Sequence, residues 1–75
     1  MKLTDVAKGR TVKIKRIRAP IDVGKKLRSL GVYEGKTVVI KNCLPSKGLI
    51  LLKNGSGEIA VAHEIASAIE VEKGD

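Results

Sequence analysis

Breakers cut this chain into pieces too short for anything but a small, strand-rich fold. Pro20, Gly31, Gly35, Pro45, Gly48 and the pair Asn54-Gly55 interrupt the apolar pattern at short intervals. No apolar run approaches the ~18 residues of a membrane-spanning helix. At 75 residues the chain has room for one domain, residues 1–75. A chain of this size buries only about 60% of the surface its unfolded form exposes, so its core must be small.

Between the breakers the periodicity is mostly that of strands. Leu3 to Ala7 reads as a short turn capped by Thr4 or Asp5 and ended by Gly9. Thr11 to Ile17 alternates, with Val12 and Ile14 apolar and Lys13 and Lys15 between them, which predicts a half-buried strand. The next apolar residue is Ile17 rather than Arg16, and that slip predicts a bulge or the strand's end near Lys15-Arg16. After Pro20, Asp22 is an N-cap candidate for a helix over 23–30. Val23, Leu27 and Leu30 share one face of it, Lys25, Arg28 and Ser29 face away, and Lys26 flanks the stripe. Gly31 suits a left-handed helix stop.

Thr37 to Asn42 is β-branched and reads as a strand, Leu44 to Gly48 as a turn, and Leu49 to Lys53 as a strand. Asn54 to Gly57 is a hairpin turn, because Asn and Gly accept positive φ. Glu58 to Ala62 is a strand with Ile59 and Val61 on one face, His63 to Ser67 a helical turn, and Ala68 to Val71 a last strand. Five short strands with one inserted helix predict a mostly β fold, a small antiparallel barrel with a short helical turn near its C-terminus.

The charge is unevenly placed. The net charge is +7, yet residues 8–28 alone hold nine bases and one acid, Asp22. Such a field attracts nucleic acid phosphates, an anionic membrane surface or an acidic protein surface. The bland alternative is a solvated basic face that keeps the chain soluble. The acidic tail Glu70 to Asp75 is positioned in sequence to offset part of the patch.

The chemistry-bearing residues are few. Gly31-Val32-Tyr33-Glu34-Gly35-Lys36-Thr37 imitates a phosphate-binding loop, but its first spacing is one residue short and it leads into a strand instead of a helix. It reads as a helix stop and turn. Asn54-Gly55-Ser56 is formally a glycosylation sequon but reads as a turn. Cys43, the one cysteine, excludes an internal disulfide and reads as a small buried hydrophobe at a strand end. His63, the one histidine, reads as structural or solvated. No catalytic constellation, metal-ligand spacing or cofactor motif is assembled, so the expectation is a protein that is not an enzyme and holds no cofactor or metal. The N-terminus carries no signal-peptide apolar core, which leads to the expectation of a soluble cytoplasmic protein.

Tyr33 is the only aromatic residue, which argues against modules that stack bases or proline-rich peptides. It falls in the loop after the helix. It suits either a binding hot spot, being apolar at one end and polar at the other, or a lid on the core.

Leu3, Val6, Gly9 and Val12-x-Ile14, followed by Leu27-Arg28-Ser29-Leu30-Gly31-Val32-x-x-Gly35-x-x-Val38, resemble the FeoA family of ferrous iron transport accessory proteins. Ile59-Ala60-Val61-Ala62 and Ala66-x-x-Ile69-x-Val71 resemble the family's closing segment. Two departures stand out: Lys26 replaces the family's usual Arg before L-x-x-L-G, and the loop 54–57 is slightly longer than usual. A point charge does not replace a planar fork. The resemblance implies an SH3-like β-barrel with an inserted helix. It also implies a cytoplasmic partner of FeoB, the membrane Fe(II) transporter with a GTP-binding domain. On that reading the basic segment steers docking, with Lys25, Lys26, Arg28 and Tyr33 as the partner-binding candidates. Two further readings stay open. One is a small basic nucleic-acid-binding barrel, and the other a repressor-like accessory domain, since the same SH3-like unit occurs in metal-dependent repressors. Pairing of an exposed strand edge with a second copy is also open.

Overall fold

The computed structural model describes residues 1–74. Strand β1 (Thr11–Ile17) has the alternation read from the sequence: Val12 and Ile14 are buried and Lys13 and Lys15 exposed. Its pairing with the last strand shifts register between Ile14 and Arg16, where the apolar period slips.

Helix α1 (Ile21–Ser29) begins earlier than the sequence suggested. Pro20, not Asp22, stands at the N-cap, with φ −56°, and its carbonyl accepts the Gly24 N–H at 2.9 Å. A proline has no N–H to leave unpaired, so the helix can start directly behind it. Asp22 lies inside the first turn, where its charge complements the helix dipole. The helix ends on paired backbone bonds: Val32 N–H donates to the Leu27 carbonyl at 2.8 Å and Gly31 N–H to the Arg28 carbonyl at 3.0 Å. Gly31 sits at φ +90°, as a left-handed stop requires. Leu27 and Val32 are both buried at this closure, whereas Leu30 is 46% exposed. Leu30 occupies the C-cap, past the last helical residue; it stays beside Val23 and Leu27 but lines an open groove instead of the core.

Strand β2 (Thr37–Leu44) runs two residues beyond Asn42. Pairing with β3 (Leu49–Asn54) carries it on, across a register shift between Ile40 and Asn42. Tertiary pairing here outweighs the weak strand preference of Asn. The extension corrects the reading of Cys43, which is exposed rather than buried. It pairs with Ile50 near the end of the ladder and lines an open cleft with Thr4, Pro45, Leu49 and His63.

A 3-10 turn, Pro45–Lys47, leads through Gly48 at φ +63° into β3. Strands β3 and β4 (Gly57–Ala62) form a hairpin closed by the pair Asn54 and Gly57. Only Gly55 takes positive φ there. Asn54 stays in the strand, contrary to its expected turn conformation. Its side-chain amide donates instead to the carbonyls of Gly31 at 3.3 Å and Leu30 at 3.5 Å, fastening the end of α1 to the hairpin. A Cβ on Gly31 would lie 2.0 Å from the Asn54 Nδ2.

Helix α2 (His63–Ala66) is a single turn, and β5 (Ile69–Lys73) is shifted toward the C-terminus from the expected 68–71. At the other end, the 3-10 turn Leu3–Asp5 is capped from within. The Asp5 carboxylate accepts the Lys2 N–H at 3.1 Å, and no side-chain bond from Thr4 takes part.

The five strands form one antiparallel sheet in the order β4-β3-β2-β1-β5. This is an SH3-like fold whose sheet is not closed: β4 and β5 stand at opposite edges. The β5 edge is covered by the N-terminus, since Val71 N–H donates to the Met1 carbonyl at 2.7 Å and Lys2 bridges to Glu70. The core is entirely aliphatic, built from residues such as Leu3, Ile14, Ile40, Leu52 and Ile69, and among the described residues no polar side chain is buried.

Gly31→Ala is expected to cost about 1–3 kcal/mol, from the positive φ and the displaced Asn54 amide. Asn54→Ala should cost about 1 kcal/mol. Urea unfolding of both single variants and the double variant should show a sub-additive sum, because one fastening is lost in each.

Candidate functional site

Three of the four sequence-predicted residues converge. Lys25 and Arg28 are three apart on α1 and therefore lie on one face. With Tyr33 they line an open groove of about 270 Å³ whose other walls include Pro20, Ile21, Gly24, Val32 and Glu34. The Arg28 guanidinium lies 5.4 Å from the centroid of the Tyr33 ring, within cation–π range. Tyr33 is half-buried and is not part of the core.

Lys26 is parted from the others. One residue step turns a helix by about 100°, and Lys26 falls on the opposite flank. There it lines a second groove, of about 250 Å³, with Val23, Leu27, Leu30, Ala60 and Ile65.

The first groove owes its shape to residues that sequence reasoning did not single out as site residues. Ile21 is 79% exposed at its rim. Gly24 has nothing within 4 Å of where a Cβ would stand, so its missing side chain leaves the groove open. A glycine inside a helix at about 1 kcal/mol of cost was the available signal.

The basic segment of residues 8–28 divides in the fold. On β1, Lys13 pairs across with Glu72 and Arg16 with Glu70 on β5. Arg18 Nε donates to the Glu70 carboxylate at 3.0 Å. That hydrogen bond, with the charges of Arg18, Arg16 and Lys15, holds the Glu70 carboxyl below the usual carboxylate range. The expected offset by the acidic tail is thus carried by Glu70, with Glu72 in register opposite Lys13, while Asp75 lies outside the described residues. The other ion pair among the described residues joins Lys41 and Glu58. Lys25, Lys26 and Arg28 therefore have no ion-pair partner among the described residues.

Cys43 and His63 share one cleft of about 200 Å³. Among the described residues, no three His, Cys, Asp or Glu side chains are grouped so as to hold a metal ion. No helix of the described residues is long and apolar enough to cross a membrane.

This arrangement, an SH3-like sheet with a cationic helix laid beside it, defines a class of small SH3-like domains, and comparison with known proteins narrows the class. The FeoA domain model matches residues 1–73, and the chain belongs to the FeoA domain family. The iron(II) transport protein A of Clostridium thermocellum is 30% identical, with a TM-score of 0.87 over 97% of this chain and 45% of that one. The FeoA protein of Chlorobium tepidum shares the fold, with a TM-score of 0.89 at 20% identity, over 97% of this chain and 70% of that one. The zinc-bound repressor ScaR is 26% identical with a TM-score of 0.86, and the alignment spans 97% of this chain but only 36% of the repressor. No curated protein matches the sequence.

The Arg18–Glu70 pair has a pH signature. Because folding depresses the Glu70 pKa, the stability it adds is present above the unfolded carboxylate value and lost as pH falls through the folded one. In Arg18→Ala, the Glu70 carboxyl should titrate at higher pH than in the parent, as read by carboxyl NMR, while stability at neutral pH changes little because the pair is exposed.

Proposed function

We propose that this protein is a non-enzymatic accessory protein of ferrous iron uptake. It acts in the cytoplasm, as one FeoA-like unit over residues 1–75, by docking on the cytoplasmic part of a FeoB-type transporter. Membership of the FeoA domain family and 30% identity to an iron(II) transport protein A support the iron connection. The observation that carries the docking surface is the set of three cations on α1 without ion-pair partners, one of them stacked on Tyr33.

The mechanism is steering followed by seating. Unpaired cations on an exposed helix raise the encounter rate with an acidic surface. Tyr33 and Arg28 then offer a preformed pair with an apolar ring and a fixed charge, the side-chain types that anchor interfaces. The protein brings no reactive group to this contact; its contribution is complementarity.

A repressor-like role has one observation behind it, the likeness to ScaR. In that reading the same unit serves as an accessory domain of a larger regulator. A nucleic-acid role is less well supported, because Glu70 and Glu72 stand in register with two of the β1 bases, Arg16 and Lys13, and Glu70 pairs with Arg18.

Reversing Lys25, Lys26 and Arg28 together to Glu should weaken binding to the purified cytoplasmic domain of a FeoB-type transporter at least about tenfold at low salt. The difference should shrink as salt is added. Unchanged calorimetric affinity of the folded triple variant at low salt rejects this surface.

A further inference from the structure

The two edges of the sheet are treated differently. The β5 edge is covered by Met1 and Lys2. The β4 edge is not. In the two-residue hairpin, Asn54 and Gly57 form the closing hydrogen-bonded pair, so bonded and non-bonded pairs alternate from there. Gly57, Ile59 and Val61 thus face β3, and the N–H and C=O groups of Glu58 and Ala60 and the N–H of Ala62 point outward, while the Ala62 carbonyl caps the first turn of α2. Among the described residues, no backbone bond from a turn or loop meets Glu58 or Ala60, and the sheet has no strand beyond β4.

This edge is weakly defended: its one charge, Glu58, is turned to Lys41. Strand β4 carries no lysine, no proline and no register shift, and Ala60 and Ala62 put only methyl groups beside the outward ladder. It also borders the second groove, with Ala60 and Ala62 on one side and Val23, Leu30 and Ile65 on the other. Val23, Ile59 and Ile65 are packed against the core yet remain only half-buried, so apolar surface there is still uncovered. Lys26, unpaired, stands at the groove's rim.

We propose that the open edge of β4 takes up an extended segment of a partner protein, with alternating apolar residues and carboxylates, as a sixth strand of the sheet. The outward groups of Glu58, Ala60 and Ala62 supply the ladder. Every second side chain of the segment falls on the Val61 side and fills the groove between Leu30 and Ile65, while a carboxylate meets Lys26. A second copy of the chain suits the edge less well. It would bring two +7 chains together and set two cationic α1 helices beside one joint. The inference rests on reading the chain as a docking module, but not on which protein it docks.

The test uses the full chain and the seven-residue peptide acetyl-Glu-Val-Glu-Val-Glu-Val-Glu-amide. Its controls are the same peptide with Lys for Glu and the acidic peptide N-methylated at alternate positions, in both registers. Amide hydrogen exchange is followed by NMR. The acidic peptide should slow exchange at Glu58, Ala60 and Ala62 at least about tenfold and leave Ile59 and Val61 nearly unchanged, since those are already bonded. The lysine peptide should not bind, and one methylated register should lose binding. Lys26→Glu should reverse the preference between the acidic and lysine peptides. Ala60→Pro removes one outward donor without touching the β3 ladder and should abolish binding; if it fails to fold, the methylated peptides carry the test alone. Absence of binding, equal binding of both methylated registers, or shifts confined to α1 overturn the proposal. Protection of the three amides that grows with chain concentration in the absence of peptide also overturns it, in favour of a second copy. Protection by the peptide without affinity for a FeoB-type domain sinks only the iron-transporter assignment. The converse result sinks only strand addition.

Discussion

Strand β5 reaches back across the chain to pair with β1, and much of the molecule's electrostatic character follows from that contact. The ladder joins residues as far apart as Val12 and Lys73, and it sets Glu72 opposite Lys13 and Glu70 opposite Arg16. It also draws Glu70 onto Arg18. Before folding, the bases of residues 8–28 form one undivided block. After folding, Lys13 and Arg16 on β1 stand in register with Glu72 and Glu70, Arg18 is paired with Glu70, and the bases on α1 stand free of ion pairs among the described residues. Exposed ion pairs contribute little to stability, so the effect of the ladder is chiefly to bring the carboxylates of the last strand beside one end of the basic segment.

The attachment of α1 is the second constraint. The helix is short, and among its residues only Leu27 is fully buried. Its C-terminal end is held by the Gly31 stop, by burial of Val32 and by the Asn54 amide, which reaches over from the β3–β4 hairpin. One end of the helix is thus fixed to the sheet, while Pro20 and Ile21 at the other end border an open groove. The presentation of Lys25 and Arg28 therefore depends on a backbone stop several residues away.

Sequence alone carried the strands well where alternation was clean. The β1 limits, its bulge and the Gly31 stop were legible because each follows from a local rule: period two, a slip of one, and tolerance of positive φ. The misses came from non-local causes. Nothing near Asn42 signals that pairing with Leu49 and Ile50 would extend β2 and leave Cys43 in an open cleft. Asn54 looked like a turn former, yet its amide is drawn to carbonyls more than twenty residues earlier. Closure of the barrel was also expected from strand count, and counting cannot show that the first residues would cover one edge and leave the other bare. The convergence of Lys25 and Arg28 was readable from helical spacing. Their meeting with Tyr33 was not, because it needs the chain to reverse at Gly31.

The sole aromatic ring of the chain sits in the groove, beneath Arg28. Without tryptophan or phenylalanine, all of the protein's ultraviolet emission and nearly all of its near-ultraviolet dichroism originate at that one residue. The molecule thus carries a native optical reporter at its candidate docking surface, blind to events in the aliphatic interior. Any ligand that displaces the guanidinium from Tyr33 will announce itself without an added label.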